Sequence, residues 1–190
     1  MRIASIAALA FAAGLTSPAV PAQQAPLRVT IAPVEVAFDR DWLADMNRDR
    51  GRASTLAEAD ARRIASDLAG DLHKALDAAI RARGIEVQAA PSPDTLRLAV
   101  RIDDLYVTAP DVPSPGITRT YVREAGRATL RAEGRDAAGA LRVQHERRGT
   151  AGDHLRLERA SDVTNRFWFD ALFRNWAGDV AAELARNDPR

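Results

Sequence analysis

The chain contains no cysteine, and this absence removes several classes of function at once. Disulfide bonds, thiolate catalysis and cysteine-based zinc or iron–sulfur sites are excluded, and so is a lipid-modified N-terminal cysteine. Lysine is almost absent too, because Lys74 is the single lysine among 27 basic residues. The arginines are scattered and balanced by 26 acidic residues. The chain therefore has no block of charge that predicts binding to nucleic acid or to an acidic membrane surface.

The preference for arginine over lysine has two interpretations. The first is the codon usage of a GC-rich genome, which needs no functional role for the arginines. The second is an arginine-based anion site, because the planar guanidinium group pairs bidentately with carboxylate and phosphate. The scattered positions favour the first interpretation.

Motifs of common enzyme classes are also missing, including GxSxG, the Walker loop, GxGxxG and HExxH. The three histidines, His73, His145 and His154, stand apart from one another, and each is predicted to be structural or solvated. Asp103 and Asp104 are neighbours in a strand, so they point to opposite faces and do not share a proton. We interpret them as a bend where the strand leaves the sheet. The sequence predicts no catalytic residue, no metal site and no cofactor, although a carboxylate pair from distant positions stays open.

The one long apolar run lies at the start of the chain. A positively charged first segment precedes Ile3–Leu15, and small residues follow up to Ala22. This pattern predicts a secretory signal peptide over residues 1–22, cleaved near Ala22–Gln23, and a single α+β domain over residues 23–190. The run is short for a membrane span, and an uncleaved anchor helix is the alternative. The mature chain is predicted to lack a transmembrane segment and to reside in the periplasm or outside the cell.

The clearest structural pattern is the stretch Asp94–Thr108, around which the rest of the chain is organised. Apolar and polar residues alternate there, as in a strand with one buried and one solvated face. The residues of one face are Leu96, Leu98, Val100 and Ile102, and those of the other are Thr95, Arg97, Ala99 and Arg101.

Two amphipathic helices are predicted to cover the apolar face of this strand. The first runs over Thr55–Arg83, with a capping box at its start and Gly84 just after its end. The second begins at Thr164 or Asn165 and ends near Ala185. Its predicted buried stripe consists of Phe169, Leu172, Trp176, Val180 and Leu184.

Four further strands complete the predicted sheet. Pro33 indicates a bulge or an edge position in the first of them, and Gly126 indicates a bulge in the third. The order β-α-β-β-β-β-α predicts an α+β two-layer sandwich, with a mostly antiparallel sheet of four or five strands and two helices on one face. The four strands are Leu27–Phe38, Ile85–Ala89, Thr118–Glu133 and, after a turn at Asp136–Gly139, Ala140–Thr150, in which Leu141 and Val143 are predicted to face inward.

Three aromatic residues are candidates for contact with a partner or ligand. Trp42 lies in the polar loop Asp39–Ala53, which is either an ordered cover over the sheet or a mobile flap. Tyr106 and Tyr121 lie near strand ends. Such rings supply contact area at low entropic cost, but packing beneath loops is the alternative role for each.

Three runs of the chain resemble a family of Gram-negative cell-envelope proteins known only as a domain of unknown function: DTLRLAVRIDDLYV, GRATLRAEGRDAAGALRV and FDALFRNWAGDVAAEL. The resemblance extends from about Leu27 to Leu184. Many members of that family are lipoproteins, and it implies no catalytic residues. This chain lacks the lipobox cysteine, which favours a soluble periplasmic form.

Two functions are consistent with these observations. The first is a non-enzymatic binding or adaptor domain that associates with a protein complex of the bacterial cell envelope, with the proline-bearing first strand as a candidate edge for a partner strand. The second is a periplasmic hydrolase or small-ligand-binding protein with a site under the 39–53 loop, formed by Trp42 with Asp41 or Asp45. A deep pocket with convergent polar groups would distinguish the second from the first.

Overall fold

The computed structural model describes residues 27–48, 55–108, 121–122, 124–152, 158–159 and 162–187. The predicted signal peptide, its cleavage point and His154 lie outside these residues.

Six of the strands form one sheet, in the order β3-β1-β4-β6-β7 with β2 also paired to β4. Strands β5 and β8 form a separate antiparallel pair. The strands are β1 (Arg28–Ile31), β2 (Glu35–Phe38), β3 (Glu86–Gln88), β4 (Thr95–Val107), β5 (Tyr121–Val122), β6 (Glu124–Arg135), β7 (Leu141–Gly152) and β8 (Glu158–Arg159).

The main sheet is mixed, and the prediction of a mostly antiparallel sheet is wrong. Strand β4 pairs in parallel with β1 and β2, and β1 pairs in parallel with β3. Only the pairs β4–β6 and β6–β7 are antiparallel among the described strands of this sheet. A long helix separates the first strands from β4 and returns the chain in its original direction, which makes the pairing parallel. The predicted α+β class is confirmed.

Strand β4 is the centre of the sheet, as predicted. Its even-numbered apolar residues from Leu96 to Ile102 are buried, whereas Arg97, Ala99 and Arg101 on the opposite face are exposed. Strands β1 and β2 lie along one edge of β4, because β6 occupies the other edge along most of its length.

The predicted bend at Asp103 and Asp104 is instead a bulge within β4. Asp104 has a φ of 52°, and the pairing with β6 shifts register between Asp103 and Tyr106. The strand does not leave the sheet here but continues to Val107. The extra residue moves the buried face from even-numbered to odd-numbered positions, so that Leu105 and Val107 are buried.

The predicted bulge at Pro33 is confirmed. Ile31 pairs with Leu98 and Glu35 with Arg101, so the first segment uses one more residue than β4 over the same length. Proline has no N–H to donate to a ladder, which explains why the break between β1 and β2 lies there.

The described residues include three helices beside the sheet: α1 (Trp42–Asn47), α2 (Glu58–Arg81) and α3 (Asp162–Arg186). Helix α1 lies within the predicted loop and was not expected. Helix α2 begins three residues later than predicted, and the Ala57 N–H donates to the Asp60 carboxylate at 3.0 Å. It ends at Arg81, two residues before the predicted end at Arg83. Gly84, with a φ of 73°, lies just beyond that end as predicted.

Helices α2 and α3 pack against each other and against one face of the sheet. The predicted stripe of α3 is buried, together with Leu72, Leu76 and Ile80 of α2. These side chains form one apolar core with the inner residues of β4, β6 and β7. The other face of the sheet carries arginines and carboxylates, and we call it the open face.

Candidate binding site

Trp42 is a core residue in this fold. Its side chain is 1% exposed and stacks on Phe38, with ring centroids 4.2 Å apart and an angle of 16° between the planes. The indole Nε1–H donates to the Val107 carbonyl at 2.9 Å. Trp42 therefore joins α1 to the end of β4 and fills the space under the loop that was predicted as a ligand site.

Tyr106 is partly buried, and its side chain contacts residues of α1 and β6. The Arg127 guanidinium is 4.2 Å from its ring centroid, in a cation–π arrangement. The Tyr106 hydroxyl is 3.5 Å from Asp45 Oδ2, and Arg127 is 3.9 Å from an Asp39 carboxylate oxygen. The side chain of Tyr121 lies outside the described residues, and its backbone pairs with β8.

Structural bonds also hold the polar residues of the 39–48 segment. Asp45 Oδ1 accepts from Arg48 at 2.6 Å. The Asn47 amide donates to the Leu56 carbonyl at 3.0 Å and accepts from the Leu56 N–H at 2.8 Å. This segment is an ordered cover rather than a collection of unpaired ligands.

The structure places an open cleft elsewhere, at the end of the sheet where the β6–β7 hairpin turns. Its volume is ≈ 590 Å³, within the range of small-molecule sites. Polar and apolar side chains both line it, and we call it the apolar cleft after its leucine and valine residues. These residues are Leu27, Leu96, Leu141, Val143 and Leu184.

Leu141 is 44% exposed, although it was predicted to face inward. Arg135 pairs with Leu141 whereas Gly134 pairs with Val143, so β7 contains one extra residue at this point. The bulge rotates Leu141 out of the core face, while Val143 remains buried. Sequence alternation alone does not reveal an extra residue so close to a turn.

The polar residues of the apolar cleft are largely engaged by the fold. Asp136 accepts from the N–H groups of Ala138 and Ala140 at 3.0 and 2.9 Å, and from Arg142 Nε at 2.7 Å. The hydrogen bond from Arg142 holds the pKa of Asp136 below its ordinary value, although desolvation opposes this shift. The carboxylate is therefore a turn-stabilising acceptor.

A second, smaller cleft of ≈ 310 Å³ adjoins the first on the open face. We call it the arginine cleft, because Arg97 and Arg135 both line it. The two clefts share Thr95, Asp136 and Ala137 as lining residues. The hairpin turn thus separates an apolar surface from a cationic one.

The register of β4 and β6 places arginines directly opposite each other on the open face. Arg97 pairs with Arg135, and Arg101 pairs with Arg131. These pairs were not predicted, because their residues are far apart in the chain. The signal was present in the alternation of arginines in both strands, but it required the register to be known.

Carboxylates compensate the Arg101–Arg131 pair. Asp103 is 7% exposed and accepts from Arg101 Nε at 2.5 Å and from Arg131 Nη1 at 3.0 Å. Glu146 accepts from Arg131 Nε at 3.2 Å, and this hydrogen bond raises the pKa of Arg131. Asp103 is therefore held between two cations, as a structural carboxylate.

Histidines and acids form no metal centre in the part of the chain that the structure describes, where no group of three such ligands converges. His145 Nε2 and Trp176 Nε1 are both buried, and neither has a hydrogen-bond partner within that part. His145 is partly buried on β7, and His73 is partly buried on α2. Of the helices described, none has the length and apolarity that a membrane crossing needs.

No family model matches the chain, and no curated protein matches it. Among solved structures, it is similar to a Xanthomonas campestris protein of the DUF330 family, with 12% identity, a TM-score of 0.45 and 90% of each chain covered. It is also similar to a Helicobacter pylori protein described as a homolog of a neuraminyllactose-binding hemagglutinin, with 11% identity and a TM-score of 0.42, covering 84% of this chain and 85% of that one.

One of these two structures thus belongs to a family of unknown function. At such identities and TM-scores, the likeness establishes neither a common fold nor a common function. The resemblance to a family of envelope proteins stays a prediction from the sequence.

Proposed function

We propose that this protein is a non-enzymatic binding domain of the bacterial cell envelope, secreted to the periplasm, and that the apolar cleft receives an apolar part of its ligand. The observation that carries the proposal is the exposed Leu141 side chain in an open cleft of ≈ 590 Å³. When a ligand covers an exposed leucine, the removal of its apolar surface from water favours binding by about 25 cal/mol per Å² buried. The secreted location rests on the predicted leader.

The polar groups of the cleft support binding rather than catalysis. A general acid or base needs a proton site that substrate can reach. Asp136 is occupied by Arg142 and by two backbone N–H groups, and the Asn187 amide donates to the Glu183 carbonyl at 3.0 Å. Such groups orient a ligand at the rim of an apolar site.

The alternative function, binding of a small ligand, is better placed in the apolar cleft than under the 39–53 loop. Trp42 occupies the space under the 39–53 loop, so a ligand site there has no supporting observation among the described residues. The apolar cleft suits either the side chains of a partner protein or a small apolar molecule. A hydrolase reaction has no residue constellation in its favour within that same part of the structure.

The test is affinity capture from cross-linked cell envelopes, followed by mass spectrometry of proteins and of organic extracts. Leu141→Glu places a charge in the apolar cleft. Phe167→Glu is the matched control, because Phe167 is also a large exposed apolar residue, at 61%, and lies on α3 rather than in the cleft.

We expect the wild-type protein and the Phe167→Glu variant to recover the same ligand, and Leu141→Glu to lose most of it. Recovery of an envelope protein would identify an adaptor, and recovery of a small apolar molecule would identify a ligand carrier. Recovery that Leu141→Glu leaves unchanged would overturn the assignment of the cleft. Recovery of nothing by the wild-type protein would overturn the binding function.

A further inference from the structure

The two arginine pairs of the open face have the same cross-strand pairing, but they differ in how many carboxylates lie close enough to neutralise their charge. Directly opposite residues of neighbouring strands have Cβ atoms about 4.5–5.5 Å apart, and like charges at such positions are destabilising. The Arg101–Arg131 pair has Asp103 between its guanidinium groups, Glu146 beside Arg131, and Glu35 at 3.8 Å from Arg101.

The Arg97–Arg135 pair has much less compensation. Arg135 donates to a Glu133 carboxylate oxygen at 2.9 Å and to the Gly139 carbonyl at 3.2 Å. Arg97 makes neither a hydrogen bond nor an ion pair with any residue that the structure describes. One carboxylate therefore pairs with one of the two guanidinium groups here, whereas three carboxylates contact the Arg101–Arg131 pair.

The surroundings of Arg97 suit a small anion. Arg97 and Arg135 line the arginine cleft with Ser92, whose backbone N–H and carbonyl both bond to the Thr95 hydroxyl. The remaining carboxylate of this cleft, Asp136, is bonded to Arg142 and to the turn. The cleft is thus lined by two cationic side chains, and its one carboxylate among the lining residues is already engaged.

We propose that the arginine cleft is a binding site for an oxyanion, a phosphate or carboxylate group, held between Arg97 and Arg135. The planar fork of a guanidinium group matches two oxygens of either anion, and such charge-assisted bonds are stronger than neutral ones. The anion supplies at this pair the negative charge that Asp103 supplies at the next pair along the strands. This site uses different side chains from Leu141 and does not depend on the function proposed above.

The first experiment titrates the purified protein with sodium phosphate at low ionic strength, read by the NMR signals of the arginine Nε–Hε groups and by calorimetry. We expect saturable shifts at Arg97 and Arg135, with a Kd on the order of 1 mM, because two exposed guanidinium groups supply most of the affinity. Arg97→Gln and Arg135→Gln should each weaken binding by about tenfold.

Arg148→Gln is the matched control. Arg148 is exposed on β7, on the same open face, and forms no ion pair with any described residue, but it does not line the arginine cleft. Its substitution removes the same charge and should change the Kd by less than about twofold. Arg97→Lys keeps the charge and loses the fork, so it should weaken binding while keeping the thermal unfolding profile of the wild type.

The absence of saturable shifts in the wild-type protein would overturn the proposal. Equal weakening by Arg148→Gln would overturn it as well, since binding would then follow the charge of the whole face. Because Arg135 pairs with Leu141, the cross-control is the uncharged change Leu141→Ala, which should leave the phosphate titration unchanged. Because the probe is phosphate alone, failure here leaves the envelope capture experiment untouched, and failure of that experiment leaves this site untouched.

Three further arms identify the source of the anion. Phosphate-competed binding to vesicles of phosphatidylglycerol, but not of phosphatidylcholine, would identify a lipid headgroup. Binding of free phosphate without vesicle binding would identify a soluble phosphate compound. Tighter binding of acetate than of phosphate would identify a carboxylate. Each result requires Arg97, and each supports the site.

Discussion

Trp42 shows how a single side chain determines the position of a whole segment. In the sequence, Trp42 is a large ring in a polar loop, and many ligand-contacting residues have the same setting. What distinguishes the two roles is the partner of the indole N–H, here the carbonyl at the end of β4. That partner lies far away in the chain, so only the fold reveals it.

Replacing Trp42 with phenylalanine keeps an aromatic ring against Phe38 and removes the hydrogen bond to Val107. We expect the free energy of unfolding to fall by about 1–3 kcal/mol, because a buried carbonyl loses its partner. Trp42→Ala should cost about 3–5 kcal/mol. Urea denaturation measures both, and a Trp42→Phe variant as stable as the wild type would show that the N–H bond contributes nothing.

At the scale of elements, α3 and β7 meet through a glycine. A Cβ atom at Gly149 would lie 2.5 Å from Leu172 Cδ1 and 3.0 Å from the Trp176 ring. The buried stripe of α3 was predicted correctly because its period of 3.6 residues is local. Its closeness to β7 was not predicted, because a missing side chain on a strand leaves no pattern in the sequence.

Two glycine-to-alanine substitutions test this contact. Gly149→Ala should lower the free energy of unfolding by about 1–3 kcal/mol, since the added methyl group overpacks the interface. Gly178→Ala lies on α3 with no atom within 4 Å of the new Cβ, and should raise stability by up to about 1 kcal/mol through helix propensity. Equal effects in thermal unfolding would contradict the close approach at Gly149.

For the whole molecule, the sequence predicted which face of each strand and helix is buried, but it did not predict which strands pair. The alternation of β4, the helix stripes and the turn at Asp136–Gly139 follow from local periodicity and were predicted. The mixed sheet, the bulge that exposes Leu141 and the opposed arginines depend on register and strand order. These properties come from contacts between distant residues, which a single sequence does not specify.

The acid response of the molecule follows from two carboxylates that the fold stabilises in their charged form. Hydrogen bonds from Arg142 and Arg186 hold the pKa values of Asp136 and Glu183 below their ordinary values of 3.8 and 4.5. A lowered pKa means that the folded state binds its proton less readily than the unfolded state. The resulting stability is present above pH 4.5 and is lost as the pH falls through the folded-state pKa values.

Asp136→Asn should therefore lower the free energy of unfolding at pH 7, and the difference from the wild type should shrink steadily below pH 4. Asp94→Asn is the control, because Asp94 is exposed beside the same cleft and makes no ion pair with a described residue. Urea denaturation at several pH values measures both variants. A difference for Asp136→Asn that stays constant with pH would mean that the carboxylate charge is not what stabilises the turn.

The parallel pairing of β1 with β4 has a consequence for how the chain is made. During synthesis, β1 has no strand of this sheet to pair with until α2 and β3 have followed, and β2 has none until β4 has followed. The β6–β7 hairpin, in contrast, joins strands that are neighbours in the chain and can form as soon as both are made. The backbone groups of β1 and β2 therefore stay unpaired until those strands, β3 and β4, have been made. Pro33, which has no N–H to donate, and the charged Glu35 oppose pairing of these exposed strands with other chains in the meantime.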